Sequence, residues 1–160
     1  MSRHPHRRIR TMVVTASLLA APALVLGLAP SPAGAAFSGV TVSDTTPADN
    51  QTITVSGFVS PGAVVSIAQC NTDATTPGTA CNATTPTRFA RVTANATTGA
   101  FSANIVVDDS FTNASFVPGV PAWGTTTDCD ASAGSDPCAI ELVEYVSNVP
   151  VDFETVPVTF

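Results

Sequence analysis

The sequence contains no lysine, and both of its histidines (His4, His6) and both methionines (Met1, Met12) lie in the first dozen residues. Charge is scarce at 11% of residues, and aromatics make up only 6%. These absences exclude whole classes of chemistry. Without an imidazole beyond the N-terminal stretch, a Ser-His-Asp or Cys-His triad has no base. Without lysine there is no Schiff base and no Ser-Lys pair. A polypeptide that binds duplex DNA needs a basic surface to displace counterions. Beyond residue 35 only Arg88 and Arg91 are basic, against twelve acids, a formal charge of −10. What remains is a binding protein, an interaction module, or an enzyme built on carboxylates. The last is disfavoured, because a two-carboxyl glycoside hydrolase needs a groove and an acid with a raised pKa, and the acids here fall mostly in turns.

The N-terminal stretch reads differently from the rest. Arg3, Arg7, Arg8 and Arg10 form a basic segment, an apolar run follows from Met12 to Leu28, and Ala33-Gly34-Ala35 supplies a small-residue cleavage site. That pattern predicts a cleaved export signal over residues 1–35, one domain over residues 36–160, and a secreted protein with no membrane anchor. Export permits disulfides. Cys70, Cys81, Cys129 and Cys138 allow three pairings. The two short loops favour Cys70–Cys81 and Cys129–Cys138, because short loops close at low entropic cost. Neither pair has the spacing of a zinc site, and no metal site is expected. Asp128, Asp130 and Asp136 could bind calcium, with solvated loop acids as the alternative.

The remaining chain shows no sustained helical period. Short alternating runs predict strands at Val40–Ser43, Thr52–Ser56, Val64–Gln69, Phe89–Ala94, Phe101–Val107, Ala139–Val143 and Val156–Phe160, separated by turn signals such as Ser60-Pro61-Gly62. Seven such strands point to an all-β, antiparallel sandwich of immunoglobulin type. The cysteine pairs are local rather than spanning two distant core strands, so each would hold a loop beside the sandwich. Asp108-Asp109 reads as an exposed turn, and Trp123 as a buried structural residue.

Several segments together resemble the neocarzinostatin family, the secreted apoproteins that carry enediyne chromophores. They are Ala68-Gln69-Cys70, Ala80-Cys81-Asn82, Phe89 with Val92-Thr93-Ala94, Ile105-Val106-Val107 with Ser110-Phe111, Trp123-Gly124-Thr125 before Asp128-Cys129, and Cys138-Ala139-Ile140-Glu141-Leu142. The resemblance implies a seven-stranded immunoglobulin-like barrel with a disulfide-pinned two-stranded ribbon arm. It implies a cleft that holds an apolar polycyclic chromophore without covalent chemistry, no resident cofactor, and a non-enzymatic monomer. Any link to DNA would run through the cargo, since an acidic apoprotein is repelled by phosphate. An alternative is an interaction module that kept the fold and lost the ligand.

Carried over by position, the resemblance implies a ligand site of Ala68, Gln69, Cys70, Cys81, Phe89, Phe116, Val117, Ala139, Glu141 and Val143. The register of Phe116 and Val117 is left open by an insertion. Ala68 stands where members commonly carry glycine, and Thr72 where an aromatic can occur. Glu141 stands where a small residue is usual. Its alternation with Ile140 and Leu142 aims it at the cleft, either to pair with a cationic ligand such as an amino sugar, or to sit solvated at the rim or bound to Arg88 or Arg91.

Overall fold

The computed structural model describes residues 36–130 and 136–160. The expected export signal lies outside the described residues. Among the described residues nine strands follow in chain order: β1 (Ser38–Val42), β2 (Gln51–Phe58), β3 (Val64–Asn71), β4 (Phe89–Thr93), β5 (Ala100–Val107), β6 (Ser110–Thr112), β7 (Thr126–Asp128), β8 (Cys138–Val146) and β9 (Val149–Val158). Among the described residues no helix is long and apolar enough to cross a membrane. A three-stranded sheet, β1-β2-β5, faces a four-stranded sheet, β4-β3-β8-β9, and β6-β7 form a separate ribbon. Every pairing is antiparallel.

Alternation sets the core. In β2, Ile53 and Val55 are fully buried while Thr52 and Thr54 are exposed, and β5 answers with Phe101, Ile105 and Val107. From the other sheet come Val65 and Ile67 of β3 and Ile140 and Leu142 of β8. Burying each such side chain fully contributes about 1.5–3 kcal/mol. The inner face of β8 also carries Glu144, which is fully buried. Its Oε1 accepts the Ser60 N–H at 3.0 Å, while Oε2 has no partner among the described residues.

Two departures from the strand runs read in the sequence have local causes. The final strand starts at Val149 rather than Val156 and stops at Val158. Ser147 and Asn148, with φ of 54° and 64°, form the tight turn of a β8–β9 hairpin, the left-handed pair that a right-twisted hairpin favours. Pro150 and Pro157 obscure this strand in the sequence. The structure tolerates them because β9 lies at the sheet edge. The ribbon adds strands of three residues each, too short to show a period.

Candidate functional site

Because Cys138, Ile140, Leu142 and Val146 belong to the core, the pleat turns Ala139, Glu141 and Val143 to the outer face of the four-stranded sheet. Register does the same for its neighbours. Ala68 lies between Phe89 on β4 and Glu141 on β8, and Cys70 lies beside Ala139. The Cys70–Cys81 disulfide is on this outer face, in a buried cluster with Ala68, against which Ala83, Phe89 and Phe116 pack. The Cys129–Cys138 disulfide is on the inner face, within the main core. Both pairings follow the loop-closure expectation, and the described residues hold no free cysteine.

The loop that returns to Cys81 extends the sheet sideways. Asn82 N–H donates to the Gln69 carbonyl at 2.8 Å, and Asn71 N–H to that of Ala80 at 2.9 Å. On its other side, Cys81 exchanges backbone bonds with Ala114 at 3.0 and 2.8 Å. This brings the segment after β6 alongside, and Phe116 meets Phe89 with ring centroids 5.5 Å apart and planes tilted by 31°. Phe116 therefore supplies the aromatic surface. Val117 packs against Gly78.

Gly78 is the residue that sequence reasoning missed. Its N–H donates to Glu141 Oε2 at 2.7 Å, and its carbonyl accepts the Phe116 N–H at 3.0 Å. It has a φ of +76°, and a Cβ there would come within 2.9 Å of Phe116 and Val117 side-chain atoms. Only glycine fits both demands without strain. The Pro77-Gly78 turn signal was the available clue.

Glu141 is 8% exposed. Burial pushes its carboxyl above the usual glutamic value, and the Gly78 hydrogen bond partly opposes the shift. One carboxylate oxygen lies within 4.8 Å of both Cys70 and Cys81 sulfurs. Those sulfurs are joined to each other, so the trio is not a thiolate metal site. Neither arginine reaches Glu141. Arg88 pairs with Asp108, and Arg91 stands 5.1 Å over the Tyr145 ring. The expectation of a solvated or arginine-bound Glu141 is corrected accordingly: a backbone amide holds it in a buried position.

A family model for the neocarzinostatin family matches residues 40–160. The chain belongs to the neocarzinostatin family. Among solved structures it is similar to macromomycin, at 31% identity over 76% of this chain and 97% of that one, with a TM-score of 0.57. It also resembles apokedarcidin in its solution conformation, at 24% identity over 77% and 97%, with a TM-score of 0.50, a likeness of fold alone. No curated protein matches significantly.

Within this neocarzinostatin-family fold, two of the expected ligand residues stand apart from the cluster. Val143 shares the outer face, but its register row is that of Ser66 and Arg91, away from the disulfide. Gln69 takes the inner face. Its Nε2 donates to the Asp108 carbonyl at 2.7 Å and contacts Cys129 Sγ at 3.2 Å, and its Oε1 accepts the Asp108 N–H at 2.9 Å. Asp108 is buried rather than exposed. It receives Arg88 Nε, Arg88 Nη2 at 2.9 Å and Asn82 Nδ2 at 2.7 Å. The Arg88 bond holds its carboxyl below the usual aspartic value against the opposing effect of burial. Arg88, Asn82 and Asp108 also line a polar cavity of about 680 Å³ beneath the ribbon. Those three groups are already spent on one another. Trp123 is 41% exposed. Its backbone is what the fold holds, through the Thr79 carbonyl at 2.8 Å and Asn113 Nδ2 at 2.8 Å.

Proposed function

We propose that this neocarzinostatin-family protein is a secreted, non-catalytic carrier that binds an apolar polycyclic small molecule, of the enediyne-chromophore type, over the outer face of its four-stranded sheet. The observation that carries this reading is the juxtaposition of the Cys70–Cys81 bridge with the Phe89–Phe116 ring pair. Two tilted, half-buried rings backed by a buried, polarizable disulfide suit a flat apolar body. The chemistry of the chain suits a labile guest. No lysine or histidine amine stands in residues 36–160, and the four thiols are tied up in bridges. The same composition argues against direct DNA binding by the apoprotein. We expect a monomer whose role is to shield the guest from water and nucleophiles.

The test is a titration of the chain of residues 36–160 with a fluorescent neutral polycycle, followed by ligand emission. Saturable binding that Phe89→Ala and Phe116→Ala each weaken supports the carrier. Absence of saturable binding by any polycycle favours an interaction module that kept the fold without the ligand.

A further inference from the structure

Glu141 poses a problem that the carrier reading alone leaves unanswered. A carboxylate largely withdrawn from water loses stability unless its oxygens find partners. Oε2 has one, the Gly78 N–H at 2.7 Å. Among the described residues Oε1 accepts no hydrogen bond and no cation pairs with the group, and Oε1 is not one of the fully buried unpartnered atoms, so it stays open to solvent or to a ligand. The facing groups are Ala68 and Cys70 of β3, Thr155 of β9, and Gly78 and Cys81 of the returning loop. With the disulfide formed, none of these titrates or carries charge. The two arginines of the folded region are committed elsewhere, one to Asp108 and one over Tyr145. The carboxylate is therefore positioned by the backbone, lies against the disulfide, and lacks an internal counter-ion.

Resting on the carrier reading, we propose that Glu141 selects the ligand's chemical class: a polycyclic body bearing a protonated amine, whose ammonium donates to Glu141 Oε1 beside the Cys70–Cys81 bridge while the rings lie along Phe89 and Phe116. The parts divide the work. The apolar surface holds the body without regard to charge. The half-satisfied carboxylate adds a charge-assisted hydrogen bond that only a cationic donor completes. Low local polarity strengthens that bond compared with a surface pair. The Gly78 anchor fixes the carboxylate before the ligand arrives, so little ordering remains for binding.

The experiment uses a matched pair of probes, anthracenemethylamine and anthracenemethanol, which share the ring system and differ in the ammonium. Affinities are measured by ligand fluorescence at 0.15 M salt, where long-range attraction to the acidic chain is largely screened. Wild type should prefer the amine by about tenfold or more, the scale of a hydrogen bond to a charged group. Glu141→Gln keeps an oxygen for Gly78 and removes the charge. It should erase the preference while leaving the alcohol's affinity in place. Asp109→Asn, which removes one charge beside the ribbon, should retain the preference. Wild type provides a second measurement that does not depend on the variant folding: at about pH 4, below even the ordinary glutamic value, a carboxyl shifted upward by burial is mostly protonated, and the amine preference should fall toward unity. Alcohol binding with no amine preference in wild type, or an equal preference in Glu141→Gln, overturns the inference and leaves the carrier reading standing. Saturable binding of neither probe overturns both.

Discussion

Two carboxylates on opposite sides of the four-stranded sheet, Asp108 and Glu141, are held in opposite ways. On the inner side Gln69 reaches Asp108, and Asp108 is filled by Arg88, Asn82 and its own backbone exchange with Gln69. That network is saturated, and its carboxyl titrates below the usual range. On the outer side Glu141 has one backbone donor, no cation, and a carboxyl pushed upward. Each face also carries one disulfide, Cys129–Cys138 within the core and Cys70–Cys81 among half-buried aromatics. The same sheet thus presents a finished network at Asp108 and an unfinished one at Glu141, while Glu144 on the inner face, whose Oε2 lacks a partner among the described residues, is fully buried and closed to an external partner. A saturated network specifies the fold. An unfinished one beside apolar surface is suited to an external partner.

The sharpest way to break this contrast is to unmake the inner network. Asp108→Ala strands Arg88 and Asn82 while the main-chain bonds to Gln69 remain, and removing one partner of a buried pair costs about 3–5 kcal/mol. Urea unfolding should show that loss at pH 7, with little specific change at the outer face. Removing the Cys70–Cys81 bridge with a double serine substitution should cost about 2–3 kcal/mol, the low end for a short loop, and should impair ligand binding more than removing Cys129–Cys138 does. Parallel unfolding and binding titrations of the two variants check this.

Gly78→Ala sharpens the comparison at one atom. It forces a left-handed φ on a side-chain residue and crowds Phe116 and Val117. We expect a loss of about 1–3 kcal/mol together with a weakened Phe89–Phe116 surface, read by thermal melting and by ring-proton shifts of the two phenylalanines.

The smallest effect is in pH dependence, where the two carboxyls should act with opposite sign. Asp108 binds its proton less tightly when folded, so its contribution is present above the ordinary value of 3.8 and is lost as pH falls below it. Glu141 binds its proton more tightly when folded. Stability is therefore highest below the ordinary value of 4.5 and declines as pH rises through the raised one. Glu141→Gln should flatten that decline and leave the acid limb intact, as measured by unfolding free energy against pH.

The legibility of these features in the sequence follows their range. The alternation of Ile53 with Val55, and of Ile140 with Leu142 around Glu141, is local, and it placed the core and the outward turn of Glu141 correctly. The resemblance groups Gln69 with the ligand residues, whereas the same alternation, continued from Val65 and Ile67, turns it inward. The motif shared with Cys70 obscured that parity. Partners distant in sequence left no trace: Gly78 meets Glu141 across 63 positions, and Asp108 meets Gln69 across 39. Trp123 looked like a core residue by type. Its exposure reflects a loop held by main-chain bonds, which composition does not encode.

The central claim is that the outer face, and not the inner one, receives a polycyclic guest. Backbone amide shifts of the isotopically labelled chain of residues 36–160, titrated with anthracenemethanol, test it directly. The account predicts saturable shifts at Ala68, Gly78, Cys81, Phe89 and Phe116, with Ile53, Ile105 and Asp108 unmoved. Saturable shifts confined to Asn82, Arg88, Asp108 and Thr127, around the polar cavity beneath the ribbon, would contradict it.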